Sequence, residues 1–151
     1  MPAARLRDAQ IVASLKRRLG GADASTLTNF AWFAARRGER QAALDAARGA
    51  IAMPDAPQAA WHTLFLLGRS LIQTSHLSEA LAVFDQMLVH QPAHAGALFH
   101  RGVVLAKLHR YDEALENWEV VGRMHASTEI GVASRRHAES ARQLASLFEG
   151  N

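Results

Sequence analysis

The stretch that decides the fold is YDEALENW, residues 111–118. Three carboxylates lie around a small residue, Ala114, and the large aromatic Trp118 follows four positions later. In an α-helix, residues four apart lie on one face, so the alanine and the tryptophan can form one packing surface. The carboxylates of Asp112 and Glu113 then fall in the first helical turn, where negative charge complements the helix dipole. We therefore interpret the stretch as a packing pair with a charged outer face, and not as an acid/base pair.

The same pattern occurs 34 residues earlier in the chain. A shift of 34 positions aligns seven identical pairs: Leu64/Leu98, Phe65/Phe99, Gly68/Gly102, Leu71/Leu105, Glu79/Glu113, Ala80/Ala114 and Leu81/Leu115. Phe84 falls on Trp118, an aromatic residue on an aromatic residue. An internal period of this length indicates a repeat architecture, in which each unit is one supersecondary motif stacked on its neighbours.

Glycine and proline divide the rest of the chain into segments rich in Ala, Leu, Arg and Glu, which favour helix. Apolar residues recur in them at three- and four-residue spacing, and no segment alternates as a strand would. The sequence predicts an all-α protein of about eight helices, starting near residues 4, 25, 40, 59, 77, 95, 111 and 129. The predicted apolar stripe of the first helix is Leu6, Ile11, Val12, Leu15 and Leu19. That of the last helix is Ile130, Ala133, His137, Ala141, Leu144 and Phe148, with Ser127 or Thr128 as its cap.

This pattern resembles the tetratricopeptide repeat family, whose signature combines Leu-Gly, a following aromatic or Leu, then Ala-x3-Phe and Pro. One repeat, residues 61–94, matches through Leu64, Leu67, Gly68, Leu71, Ala80, Phe84 and Pro92. A second, residues 95–128, matches through Leu98, Gly102, Leu105, Ala114 and Trp118, but has Arg101 and Ala126 where Leu and Pro are usual. The resemblance implies a right-handed superhelix of stacked helix-turn-helix units.

A degenerate third copy precedes these two repeats, over residues 24–57. Its comparable positions hold Phe30, Ala31, Ala34, Gly38, Ala43, Ala47, Ala50 and Pro54. We therefore expect one domain over residues 1–151, with an N-terminal helix at 1–21 and a capping helix at 129–149. The capping helix is expected to turn Arg135, Arg136, Glu139 and Arg142 to water.

The residues that carry chemistry are sparse. The chain has no cysteine, which excludes disulfides, thiolate nucleophiles and cysteine-based zinc sites. His90 and His94 have the spacing of a helical metal pair, but Pro92 between them breaks that geometry. His100 and His137 are expected to be hydrogen-bonded packing residues. No nucleophile elbow, P-loop or dinucleotide-binding motif occurs, so we expect no enzyme activity, no small-molecule substrate, no cofactor and no metal.

Charge is distributed unevenly. Residues 1–50 hold nine Lys or Arg against four acids, whereas the remainder holds eight against ten. The basic N-terminal helix could bind nucleic acid or an anionic membrane surface, but residues 1–29 contain no aromatic residue for base stacking. Its apolar stripe could instead dock on the first repeat, or on a second copy to give a homodimer. The N-terminus lacks a secretory apolar region and no run is long enough to span a membrane, so a cytoplasmic location is expected.

The resemblance also implies a peptide-binding groove lined by recurring positions of each first helix. In this chain those positions are Trp32, Arg36, His62, Phe65, Arg69, Ile72, Gln73, Phe99, Val103, Ala106 and Lys107. Such a groove suits an apolar or amphipathic segment with some negative charge. The expected function is a non-catalytic adaptor for a protein or peptide partner, with a small bacterial chaperone as a narrower version. The clamp that holds chaperone C-termini is absent, because its slots hold residues such as Leu66, Gly96 and His100.

Overall fold

The computed structural model describes residues 23–54 and 56–149. Over these ranges the chain forms seven helices and no strand. They are α1 (Ala24–Arg36), α2 (Arg40–Ile51), α3 (Gln58–Gln73), α4 (Leu77–His90), α5 (Ala95–Lys107), α6 (Tyr111–Met124) and α7 (Glu129–Glu149). The all-α prediction is confirmed, and every predicted start from residue 25 onwards is correct to within one residue. The helix predicted near residue 4 lies outside the described ranges, and none of the seven helices could cross a membrane.

One turn geometry joins the two helices of each hairpin. Gly38, Ser75 and His109 each have a left-handed backbone, with φ of 75°, 60° and 61°. The next residue in each turn donates its backbone N–H to a carbonyl five residues earlier, at 2.9, 2.8 and 2.8 Å. This bond satisfies a carbonyl that the helix end would otherwise leave unpaired. The helix pairs α1/α2, α3/α4 and α5/α6 therefore share one local design, which includes the pair in the degenerate copy.

The described part of the chain divides after Leu67 into two compact units. In the first unit α1 packs against α2 through alanines, and Ala31, Ala34, Ala43 and Ala47 are completely buried. Side chains this small let two helices approach closely. Asp23 caps α1 by accepting the backbone N–H of Thr26 at 2.8 Å, and this hydrogen bond lowers the pKa of the aspartate.

The second unit is built around small residues that face large aromatic ones. A β-carbon placed on Gly68 would lie 2.8 Å from Cζ of Phe84, and one placed on Gly102 would lie 2.6 Å from Nε1 of Trp118. Both aromatic rings are buried, as is Ala114. The predicted packing residues Ala114 and Trp118 are confirmed as buried, and the glycine–aromatic contact recurs at the 34-residue period. Since only glycine leaves room for the rings, these positions fix the spacing between α3 and α4 and between α5 and α6.

The predicted apolar stripe of α7 is confirmed at Ala141, which is buried, and wrong at three other positions. His137, Leu144 and Phe148 are exposed. The buried positions are Gly131, Ser134, Ala138 and Ala141, which pack small side chains close against the neighbouring helices. A β-carbon on Gly131 would collide with the backbone carbonyl of His125.

The predicted cap and outer face of α7 are confirmed. The hydroxyl of Thr128 accepts the backbone N–H of Gly131 at 3.1 Å. Arg135, Arg136, Glu139 and Arg142 are exposed.

Candidate peptide-binding surface

The geometry of α5 separates a packing face from an accessible face. Gly102 and Leu105 are buried, whereas Phe99, Val103 and Ala106 are half-buried and Lys107 is exposed. The indole N–H of Trp118 donates to the backbone carbonyl of Phe99 at 3.1 Å. This bond fixes the α5 backbone at the residue that the sequence analysis places in the groove.

The ring of Phe99 contacts two imidazoles. It contacts His100 and His137 edge-on, with ring centroids 5.1 Å apart in both cases. His137 also contacts Trp118 at 5.0 Å. Edge-to-face contacts of this kind orient an aromatic ring without burying it fully. Phe99 is therefore a fixed apolar side chain that still exposes part of its surface.

Arg69 approaches the same cluster from α3. Burial lowers the pKa of His100, and the positive charge of Arg69 lowers it further. His100 is therefore neutral at pH 7, its Nδ1 atom lies 3.0 Å from the carbonyl oxygen of Gly96, and its ring contacts Phe84. The expected packing role of His100 is confirmed. Of the other α3 positions in this unit, Ile72 is half-buried and Gln73 is exposed.

The first unit carries the remaining four predicted residues. Trp32 is 42% exposed and Arg36 is also exposed, one helical turn further along α1. Together with Asn29, Phe33 and Ala35 they line a shallow cavity of about 640 Å³. On α3, His62 is exposed and Phe65 is half-buried. Phe65 and Phe99 belong to different units, so their predicted adjacency stays a prediction.

Two aromatic features were missed by the sequence analysis. Phe33 is 57% exposed, and the guanidinium of Arg37 lies 5.5 Å from its ring centroid. Phe148 stacks on Tyr111 with ring centroids 6.1 Å apart. Phe33 follows Trp32 directly, and two adjacent aromatic residues on a helix cannot both face one core, which is the signal that could have identified it.

The carboxylates of residues 111–118 lie at the surface of α6. Asp112 and Glu116 are exposed, and Glu113 forms an ion pair with Arg110 at 2.7 Å. That hydrogen-bonded partner lowers the pKa of Glu113, so this carboxyl group is ionised at pH 7 and has no proton to donate. The predicted solvated face is confirmed.

Histidines of the second unit serve helix structure. Nδ1 of His94 accepts the backbone N–H of Ala97 at 3.0 Å and so caps α5. Nδ1 of His137 lies 2.8 Å from the carbonyl oxygen of Ala133. Within residues 23–54 and 56–149, no three His, Asp or Glu side chains converge as metal ligands would.

The architecture is similar to that of a known protein. No family model matches the sequence, and no curated protein matches it either. The structure resembles the crystal structure of a tetratricopeptide repeat protein from Parabacteroides merdae, with a TM-score of 0.61 and 19% sequence identity. The match covers 87% of this chain and 51% of that protein, so the chain spans about half its length. The chain therefore has a tetratricopeptide-repeat-like all-α fold.

Proposed function

We propose that this protein is a non-catalytic adaptor that binds a segment of another protein through the accessible positions of its first helices. One observation carries the proposal. Phe99 is an apolar side chain that is oriented by ring contacts with His100 and His137 and remains partly accessible. A rigid and partly exposed aromatic residue loses little conformational entropy on binding, which is the property of an interaction anchor.

Basic residues among the positions assigned to binding favour an acidic ligand. Arg36, Arg69 and Lys107 are exposed, and the ten residues assigned to binding include no acid. The ten are Trp32, Arg36, His62, Phe65, Arg69, Ile72, Gln73, Phe99, Val103 and Lys107. Complementary charge favours a partner segment that presents apolar side chains together with Asp or Glu.

Two narrower statements belong to the same proposal. The tetratricopeptide-like fold suits a chaperone-like protein that shields an apolar segment of its partner, and the expected site of action is the cytoplasm. The alternative is binding of nucleic acid or an anionic membrane by the basic N-terminal segment, residues 1–21, which lies outside the described residues. The salt dependence of binding distinguishes the two functions, because contacts to phosphate weaken steeply with salt and apolar contacts do not.

A random-peptide library displayed on phage and selected on the wild-type protein tests the proposal. We expect the selected peptides to combine apolar residues with Asp or Glu. Their affinity should fall at least about thirtyfold in Phe99→Ala, because buried aromatic anchors contribute about 2 kcal/mol or more. Val132→Ala, which truncates an exposed apolar residue on α7, is the matched control. Peptides that bind Phe99→Ala and Arg69→Ala as tightly as wild type would refute the proposal.

A further inference from the structure

The last two turns of α7 expose a set of large apolar side chains. Leu144 is 40% exposed, and Leu147 and Phe148 are each 68% exposed. The buried positions of the helix end at Ala141, so these residues lie outside the fully buried core of the second unit. Large apolar groups that are clustered and unburied indicate an interaction surface more often than isolated ones do.

Three aromatic side chains in this region are ordered by one another. The ring of Phe148 stacks on that of Tyr111, with an angle of 11° between the ring planes. The hydroxyl of Tyr111 lies 2.9 Å from Nδ1 of His109, whose ring meets the tyrosine ring edge-on. We call His109, Tyr111 and Phe148 the aromatic ledge. Its geometry is set before any ligand arrives.

A cavity of about 500 Å³ lies against the aromatic ledge and carries negative charge. Ala145, Asp112 and Glu149 complete its lining. The nearby arginines are engaged elsewhere, since Arg110 pairs with Glu113 and Arg142 with Glu119. Among the residues that the structure describes, neither lining carboxylate has an ion-pair partner.

The position of Glu149 is unfavourable for the helix that carries it. It occupies the last turn of α7, where the helix dipole is negative and a basic residue would be stabilising. A bound cation would be stabilised by both carboxylates, by the carbonyl end of α7 and by the faces of the aromatic rings. The cavity therefore combines apolar, aromatic and anionic groups in a way that complements a positively charged side chain.

We infer that the aromatic ledge and its cavity form a second binding surface, which accepts a Lys or Arg side chain presented by an apolar segment of a protein partner. The ligand charge is opposite to that proposed for the first-helix residues. The inference does not rest on the proposed adaptor site, because Phe99 does not line the cavity.

Tyr111 provides a direct test, because it is the only tyrosine in the chain. Protein labelled with 3-fluorotyrosine gives one ¹⁹F resonance, which reports on the aromatic ledge. The probe is a short acetylated and amidated peptide with a central arginine between alanine and leucine residues. Its matched control carries citrulline, which keeps the shape and removes the charge. We expect saturable movement of the resonance with the arginine peptide and binding at least about fivefold weaker with citrulline, as cation–π and ion-pair contributions together suggest.

Carboxylate variants locate the contact. Asp112→Asn and Glu149→Gln should each weaken binding of the arginine peptide severalfold. Glu116 is an exposed carboxylate on α6 outside the cavity, so Glu116→Gln should leave that binding unchanged. Circular dichroism confirms that each variant is folded. Equal affinity for both peptides, or unchanged affinity in Glu149→Gln, would overturn the inference. A resonance that moves with protein concentration alone would also overturn it and would identify a second copy of this chain as the occupant.

Discussion

Gly102 and Trp118 are complementary in shape, because the indole occupies the space that a β-carbon on residue 102 would need, 2.6 Å from Nε1. The same indole donates its N–H to the carbonyl of Phe99 and contacts the ring of His137, which in turn contacts the Phe99 ring. The contact between Gly102 and Trp118 therefore also positions Phe99, the side chain that we propose as the binding anchor. In the second unit, the same residue, Trp118, packs in the core and orients the partly exposed Phe99.

Gly102→Ala is expected to destabilise the protein by roughly 1–3 kcal/mol, the usual cost of overpacking a close helix contact. The indole cannot retreat without losing its bond to the Phe99 carbonyl, which measures 3.1 Å. Gly49→Ala is the matched control, because its new β-carbon would lie 3.4 Å from Leu27 Cδ1, an ordinary contact. That change removes a glycine from α2 and should be neutral or stabilising by up to about 1 kcal/mol.

Urea unfolding followed by circular dichroism measures both changes. Equal stability of the Gly102→Ala and Gly49→Ala proteins would contradict the close contact between Gly102 and Trp118.

The shared turn geometry predicts that substitutions in two hairpins change the stability of the protein in opposite directions. Ser75 has a φ of 60°, which costs an L-residue about 1 kcal/mol, so Ser75→Gly should stabilise the protein by roughly 0.5–1 kcal/mol. Gly38 has a φ of 75° and open space around it, so Gly38→Ala should destabilise by about 1 kcal/mol through backbone strain alone. Thermal melts of the two variants test this. If both substitutions stabilised the protein, or both destabilised it, the two turns would not be equivalent.

Sequence reasoning predicted the hairpins well because their signals are local. Gly68/Phe84 and Gly102/Trp118 recur at a fixed period, and the helix starts follow from glycine, proline and the apolar spacing. The same reasoning failed on α7, since it gave weight to large residues such as Leu144 and Phe148. The helix packs instead through Gly131 and other small residues. The size of a side chain alone does not indicate which face of a helix is buried.

The sequence predicts which positions belong to the candidate site, but not how their side chains are oriented. The family resemblance selects Phe99 and Arg69, but no sequence pattern indicates that His100 and His137 would orient the Phe99 ring. His137 lies 38 residues from Phe99 in the chain and reaches it only because α7 packs beside α5. Contacts of this kind depend on tertiary packing, which the 34-residue period does not encode.

Stability should fall on mild acidification because of two histidines. Burial lowers the pKa of His94 and of His100 from the ordinary value of 6.5, so both are neutral when folded and bind a proton more readily when unfolded. The contribution of the two neutral histidines to the free energy of unfolding is complete above pH 6.5. It is lost as the pH falls towards the folded-state pKa values. Protonation would also remove the acceptor with which His94 caps α5.

A double variant isolates this effect. His94→Asn keeps a capping acceptor and His100→Gln keeps a polar side chain, and neither replacement titrates. Urea unfolding at about pH 7.5 and about pH 5.5 should show a smaller loss of stability in the double variant than in wild type. The same loss in both proteins would assign the pH dependence to other groups.

The central claim, that first-helix aromatic residues bind the partner segment, is tested most directly by isothermal titration with a peptide selected on the wild-type protein. Phe65 and Phe99 occupy the same slot of successive repeats, 34 residues apart. We predict that Phe65→Ala combined with Phe99→Ala reduces affinity by more than about thirtyfold while circular dichroism stays helical. Replacing Arg17 and Arg18 by alanine should leave affinity nearly unchanged. Normal binding by the double phenylalanine variant, together with loss of binding in the arginine variant, would contradict the account and assign binding to the basic N-terminal segment.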